Sequence, residues 1–249
     1  MLEFATHDSI REIRFARPPA HAFNGAMLHA IDAALRESVE QGARAIVVSG
    51  TPGMFSGGLD VPELLGLDRA GMIEFWKIFF QVQATLAHIA VPIVAAITGH
   101  SPAGGAVLSL YCDYRIMAQG KYRIGLNEVQ VGLCPGPLIY AVLRRLIGAR
   151  HADRLISGGL LVTGDEALQI GLVDRLVPEA EVVPAAIEWA RGMTALPPKA
   201  VAATRRYARA DLMALLGKFT AADYEMMNEA WFSGETQATM RKLVERLKK

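Results

Sequence analysis

The chain has 249 residues, of which 52% are hydrophobic and 20% charged, enough to build a buried core and too apolar for a disordered segment. Its net charge of +1 gives no overall field to draw nucleic acid or an anionic membrane. Its two cysteines, Cys112 and Cys134, form no CxxC pair, which argues against a disulfide framework and fits buried free thiols in a reducing compartment.

The N-terminal stretch MLEFATHDSIREIRF mixes charges and lacks the apolar core of a secretory signal. Within it, IREIRF alternates and predicts a strand over Ile10–Phe15, which RPPAHAFNG breaks. Leu28, Ile31, Ala34 and Leu35 recur at helical spacing and predict a helix over Met27–Glu40. ARAIVVSG reads as a short buried strand ending at Gly50, followed by the glycine-rich loop TPGMFSGGLD. A long apolar-periodic helix is expected over Ala70–Ile89, then a buried strand in PIVAAITG. SPAGGAVLSLYCD reads as a loop opening a helix, YRIMA as a strand, and GPLIYAVLRRLIG as a helix stopped at Gly148. Thr163 and Glu166 have the spacing of a capping box for a helix over Gly164–Ile170, and LVDRLV follows as a strand.

Beyond Pro178 the chain reads as helical, with breaks near Pro197 and at Ser233–Gly234. Two regions are therefore expected: an α/β core over 1–180 and a helical region over 181–249. Strands alternating with helices imply parallel pairing. The helical region is expected to have no sheet to cover and to pack on the core or on another subunit. Arg205, Arg206, Arg209 and Lys218 gather there and read first as a solvated helix face. The longest apolar stretches are interrupted, so no membrane span and a cytoplasmic location are expected.

Several chemistries lack their motifs. HExxH, GxSxG, a P-loop and GxGxxG are all missing, and no two of the six histidines stand at metal-ligand spacing. No metal, flavin or nicotinamide is expected. Ser56, His100 and Asp113 make a triad only on paper.

Three segments remain. FSGGLD and SPAGGAV each follow a buried strand, and the second opens an apolar helix. Such loops are either tight strand-to-helix turns or a pair of backbone N–H donors converging on one oxygen, an oxyanion hole. The third is IGLNEVQVGL, where one carboxylate, Glu128, stands among apolar and small residues without a cation. A buried carboxylate there would have a raised pKa and suit a general base; the bland alternative is a surface residue whose neighbours turn away. Asp60 reads as the cap of a helix near Pro62. Pro102 reads as fixing its loop, and Asn127 as either orienting Glu128 or making a turn. Phe75, Trp76, Phe79 and Phe80 crowd one helix and line either an acyl tunnel or ordinary core, while Trp231 and Phe232 close that tunnel or pack between subunits.

FSGGLDVPEL, GHSPAGGAVLSLYCDYRI and YRIGLNEVQVGL, in that order and spacing, resemble the crotonase (enoyl-CoA hydratase/isomerase) superfamily. PAGG…CDYRI, IGLNE and the tail MRKLVERLKK are most similar to its mitochondrial-type Δ3,Δ2-enoyl-CoA isomerase branch, and the likeness runs from about Phe15 to the end. The resemblance implies a spiral of ββα units followed by a helical trimerisation region, and hence a homotrimer or a dimer of trimers. It implies an acyl-CoA substrate, with coenzyme A part of the substrate rather than a cofactor. By position it implies a thioester oxygen held by the N–H groups of Leu59, just after Gly58, and of Gly104, just after Ala103. It also puts Arg17 near the ligand and leaves the late basic residues open as partners of a 3′-phosphate.

The chain departs from the hydratases of that family at one position. They carry two glutamates, and here the first is Val107 and the second Glu128. Adding water suits a paired arrangement, whereas shifting a double bond from C3 to C2 needs one base to move a proton from C2 to C4. The sequence therefore favours a Δ3,Δ2-enoyl-CoA isomerase, with Glu128 as base and Val107 keeping the site dry. The alternatives are another crotonase-type activity such as hydration, with Glu63 or Glu74 supplying the missing carboxylate, and a non-catalytic trimer binding acyl-CoA or RNA. The near-neutral charge and the lack of interleaved basic and aromatic residues argue against nucleic acid.

Overall fold

The computed structural model describes residues 1–247; Lys248 and Lys249, the end of the tail motif MRKLVERLKK, lie outside the described residues. In chain order the elements are β1 (Leu2–His7), β2 (Ile10–Phe15), α1 (Gly25–Glu40), β3 (Ala45–Ser49), β4 (Gly53–Met54), α2 (Val61–Leu64) and α3 (Arg69–His88). Then come β5 (Ile93–Ile97), β6 (Gly99–Pro102), α4 (Gly104–Leu110), β7 (Tyr114–Ala118), β8 (Arg123–Gly125), a 3-10 turn over Glu128–Val131 and α5 (Gly136–Gly158). The remainder is β9 (Val162–Thr163), α6 (Gly164–Gln169), β10 (Arg175–Val177), α7 (Val182–Thr194), α8 (Pro198–Ala208), α9 (Ala210–Leu216), α10 (Ala221–Trp231) and α11 (Gly234–Leu247).

The strands form two sheets, in the orders β1-β2-β3-β5-β7-β10 and β4-β6-β8-β9. Only the β1–β2 and β8–β9 pairs are antiparallel. Each turn of the chain lays one strand in the large sheet, one in the small sheet, and then a helix: β3-β4-α2, β5-β6-α4, β7-β8-α5. That is the expected spiral of ββα units.

The large sheet is buried on both faces, as parallel strands require, and residue alternation divides it between two cores. Ile46, Val48, Ile93, Ala95, Ile97 and Met117 face the main core. Their neighbours Ala45, Val47, Val94, Ala96, Ile116 and Ala118 face a second core completed by Val182, Ala186, Ile187 and Ala190 of α7. The expectation that the late helices have no sheet to cover is therefore wrong. β5 is apolar at every position, so its sequence does not reveal that a second helix layer is needed.

Other local readings need correction. The N-terminal stretch adds an edge strand, β1, whose sequence shows no apolar alternation because none of its residues is fully buried. Gly148 (φ 76°, ψ 161°) does break the helical conformation, as expected, but a second helix follows at once within α5 and ends at Gly159 in the left-handed conformation. Half of the capping box at α6 forms: the Thr163 hydroxyl accepts from the Glu166 N–H at 3.2 Å, while the Glu166 carboxylate pairs with Arg154 instead. Asp60 does cap α2, accepting from the Glu63 N–H at 3.1 Å.

Arg205 and Arg209 do not lie on a solvated face. Both are buried, with Arg205 2.9 Å and Arg209 2.7 Å from the Asp113 carboxylate. They also donate to the carbonyls of Leu86, Ile89 and Tyr111, at the ends of α3 and α4. Only Arg206 and Lys218 of that group are exposed. Cys112 is buried as expected, but Cys134 is exposed. Among the described residues no helix is long and apolar enough to cross a membrane.

Candidate active site

The small sheet is the frame of the site. Its parallel strands β4, β6 and β8 pair through Gly53–Gly99, Met54–His100, Ser101–Ile124 and Pro102–Gly125. Each runs out into one of the three segments singled out in the sequence. Two further backbone bonds lock them together, from the Phe55 N–H to the His100 carbonyl at 2.9 Å and from the Ala103 N–H to the Gly125 carbonyl at 2.8 Å. FSGGLD, SPAGGAV and IGLNEV, which begin at Phe55, Ser101 and Ile124, thus become neighbours.

The two glycine loops pack too closely for side chains. A Cβ at Gly58 (φ 88°) would come within 3.0 Å of both the Ala103 Cβ and the Gly104 nitrogen. A Cβ at Gly105 would meet the Ser56 carbonyl oxygen at 2.7 Å. Ala103 has φ 47°, a conformation that costs a non-glycine residue about 1–3 kcal/mol and that clusters at functional sites. It leaves α4 without a side-chain cap.

Two N–H groups are left over by this arrangement. Gly104 is the first residue of α4, so its N–H has no acceptor within the helix. Phe23 bridges to Leu59 by donating to the Gly58 carbonyl at 2.7 Å and accepting from the Asp60 N–H at 2.9 Å. The bridge uses the groups on either side of Leu59 and turns the Leu59 N–H away from Phe23. Leu59 and Gly104 both line a cavity of about 610 Å³.

Glu128 faces the same cavity from the start of the 3-10 turn. It is 9% exposed, and its Oε2 is buried without a hydrogen-bond partner. Burial pushes its carboxyl up from 4.5 to about 7, while its own backbone N–H pulls the other way. The surrounding wall is apolar, with Val131, Leu133 and Ile139 beside the turn and Trp76 and Phe79 from α3. The last two helices close it through Met227, Ala230, Met240 and Leu243. Sequence reasoning missed those four, because nothing local distinguishes a cavity-lining apolar side chain from a core one.

The other carboxylate on the cavity wall is Asp60, and it is neutralised. Arg17 reaches its Oδ2 at 2.5 Å and the Ala22 carbonyl at 2.9 Å. Arg17 lines the cavity as expected, but its guanidinium supports the first glycine loop. Neither Glu63 nor Glu74 is among the lining residues. Glu63 accepts from the Asn24 amide at 2.7 Å, and Glu74 pairs with Lys77 at 2.7 Å on the outer face of α3.

Three expected lining residues are set back. Val107 is 1% exposed and borders a separate void of about 10 Å³ with Phe23, Leu28 and Val82, behind the loops. Phe75 is buried against Trp76 and Phe79 without reaching the cavity, because a helix aims adjacent residues about 100° apart. Gly58 lies behind the cavity surface, flanked by Gly57 and Leu59, which line it. Trp231 is fully buried edge-on to Trp76, at 6.1 Å, and Phe232 stacks under Arg69. The Asn127 Oδ1 and the Glu128 Oε2 are both buried without a hydrogen-bond partner.

The paper triad is dispersed: the Ser56 hydroxyl donates to the His21 carbonyl, His100 accepts from the Arg123 N–H, and Asp113 binds Arg205 and Arg209. No three His, Cys, Asp or Glu side chains among the described residues gather as a metal site. What the cavity offers is one desolvated carboxyl able to carry a proton near neutral pH, in an apolar enclosure that Leu59 and Gly104 also line.

Comparison with known proteins identifies the family. The enoyl-CoA hydratase/isomerase family model matches residues 5–249. The human mitochondrial enoyl-CoA delta isomerase 1 is 33% identical over 241 residues, covering 95% of this chain and 79% of that protein. A probable enoyl-CoA hydratase of Mycobacterium avium is 34% identical over 191 residues, 76% of this chain and 74% of that protein. The crystal structure of human mitochondrial Δ3-Δ2-enoyl-CoA isomerase superposes with a TM-score of 0.94 at 30% identity, over 99% of this chain and 98% of that one. The chain belongs to the enoyl-CoA hydratase/isomerase family.

Proposed function

We propose that this member of the enoyl-CoA hydratase/isomerase family is a Δ3,Δ2-enoyl-CoA isomerase, moving the double bond of a 3-enoyl-CoA thioester into conjugation at C2. The observation that carries the reading is Glu128. Among the described residues it is the one carboxylate of the cavity wall without a cation, and its carboxyl sits at about 7. A base that must take a proton and give it back works best near the operating pH.

In this mechanism the thioester carbonyl accepts hydrogen bonds from the Leu59 and Gly104 N–H groups. The Glu128 carboxylate removes a proton from C2, next to the carbonyl, and negative charge moves onto the thioester oxygen. Each N–H stabilises that charge, and a donor of this kind is typically worth about 2.7–4 kcal/mol. The protonated Glu128 then delivers its proton to C4, the electrons close the C2–C3 double bond, and the carboxylate is regenerated. Trp76, Phe79, Met227, Met240 and Leu243 give the acyl chain an apolar enclosure and keep bulk water from the dienolate.

Hydration is less well supported. It calls for a second group to position water, and Glu63 and Glu74 are engaged elsewhere while Val107 stands at the position of the hydratases' first glutamate. The test is E128Q, assayed with a 3-enoyl-CoA by the absorbance of the conjugated thioester. The amide should retain thioester binding and lose turnover by about 10²–10⁴-fold, the usual contribution of a positioned acid–base group. Undiminished turnover would remove Glu128 from the chemistry.

A further inference from the structure

No other side chain among the described residues is found hydrogen-bonded to the Glu128 carboxyl. Its Oε2 is unpartnered and the group that acts on the carboxyl is the Glu128 backbone N–H, so its position is inherited from the backbone of the turn beneath it. That turn closes on itself, with the Gly132 N–H donating to Val129 at 3.2 Å and the Leu133 N–H to the Glu128 carbonyl at 3.0 Å. Gly132, at φ 80°, ends the turn in the left-handed conformation. The group that meets its carbonyl lies 104 residues away: the Thr236 hydroxyl, in the first turn of α11, donates to the Gly132 oxygen at 2.5 Å.

Thr236 is 2% exposed. Its hydroxyl accepts from the Ser233 hydroxyl at 3.0 Å, and its N–H donates to the same Ser233 oxygen at 3.2 Å. A relay therefore runs from the start of α11 into the turn. The fit is tight, since a Cβ at Gly132 would lie 3.1 Å from the Thr236 Cα. A second tie, from the Gln130 amide to the Gly159 carbonyl at 2.7 Å, holds the other side of the turn. One helical turn beyond Thr236, Met240 belongs to the cavity wall.

We propose that Thr236 is a positioning residue for Glu128: its hydroxyl pins the Gly132 carbonyl, fixes the turn that carries the base, and makes the C-terminal helix part of the catalytic machinery. This rests on the reading of Glu128 as the base. Valine at 236 keeps the shape but removes the donor, so the Gly132 carbonyl loses its partner in α11 and the turn relaxes. A shift of the base by about an ångström is expected to lower kcat on the order of 10- to 100-fold, with KM much less affected. T236S restores the hydroxyl and is expected to restore kcat.

The experiment compares wild type, T236V and T236S in two measurements: 3-enoyl-CoA turnover, and titration of the Glu128 carboxyl by ¹³C NMR, assigned with E128Q. In T236V the titration should move from about 7 toward the ordinary glutamate range, as water reaches the loosened turn. T236S should titrate as the wild type does. Unchanged kcat and unchanged titration in T236V would overturn the proposal, and so would a T236S protein that behaves like T236V, since packing rather than the hydroxyl would then matter. If T236V does not fold, T236S alone decides, by matching or failing to match the wild type. If the wild type itself turns over no 3-enoyl-CoA, the isomerase reading falls while the titration still reports on Thr236.

Discussion

Replacing Glu128 by glutamine should make the protein more stable, by an amount that depends on pH in a defined way. Burial holds the folded-state carboxyl at about 7 against an ordinary 4.5. At 1.36 kcal/mol per pH unit that gap is worth roughly 3 kcal/mol. The sign follows from proton binding: between the two values the folded state binds a proton that the unfolded state releases, so stability falls as pH rises. Below 4.5 both states are protonated and the penalty is absent. It grows from 4.5 to about 7 and stays constant above. E128Q, neutral throughout, escapes it. Urea unfolding at fixed protein concentration, from pH 4 to 9, should show E128Q and wild type nearly equal at the acid end and E128Q ahead by roughly 3 kcal/mol above pH 7.5. The same carboxyl must be ionised to act as base, so wild-type kcat/KM should rise with pH and reach half its plateau near 7. A stability difference that is flat with pH, or that favours wild type above pH 7, would refute the desolvated-base argument.

Other variants test the frame around the base. V107E buries a carboxylate beside a void of only about 10 Å³, so it should cost several kcal/mol or prevent folding; a folded V107E protein that hydrates 2-enoyl-CoA would show that this position does reach the site. G105A drives a Cβ against the Ser56 carbonyl and pries the two loops apart, which should lower both kcat and the thermal midpoint; full activity would show that the donors tolerate the shift. D113N leaves Arg205 and Arg209 buried without their counter-ion, and breaking such a pair costs about 3–5 kcal/mol. Its urea midpoint should drop sharply while the folded fraction keeps its turnover, and a change below about 0.5 kcal/mol would mean that the carbonyls alone satisfy the two guanidiniums.

What was legible in the sequence follows physical lines. The glycine pairs and Glu128 could be read because each is locally anomalous: adjacent glycines before an apolar helix, and a carboxylate with no cation beside it. Asp60 as a cap could be read because its acceptor role spans three residues. The failures involve contacts that sequence spacing does not encode. Phe79 reaches the cavity and Phe75 does not, although both are aromatic residues on one helix. Val107, which the family resemblance put at the site, backs onto core here. Arg205 and Arg209 look like solvent-facing charges until Asp113, more than 90 residues earlier, is seen to face them. Met227, Ala230, Met240 and Leu243 become cavity wall only because α10 and α11 fold back across the small sheet's loops.

The most direct test of the central claim is to give the wild-type protein a 3-enoyl-CoA and, separately, a 2-enoyl-CoA, following the conjugated thioester absorbance in each. A single base in a dry site should generate the absorbance from the first and leave that of the second in place. Decay of the 2-enoyl signal by water addition would contradict the account, because it would require a second water-positioning group that the cavity wall does not supply.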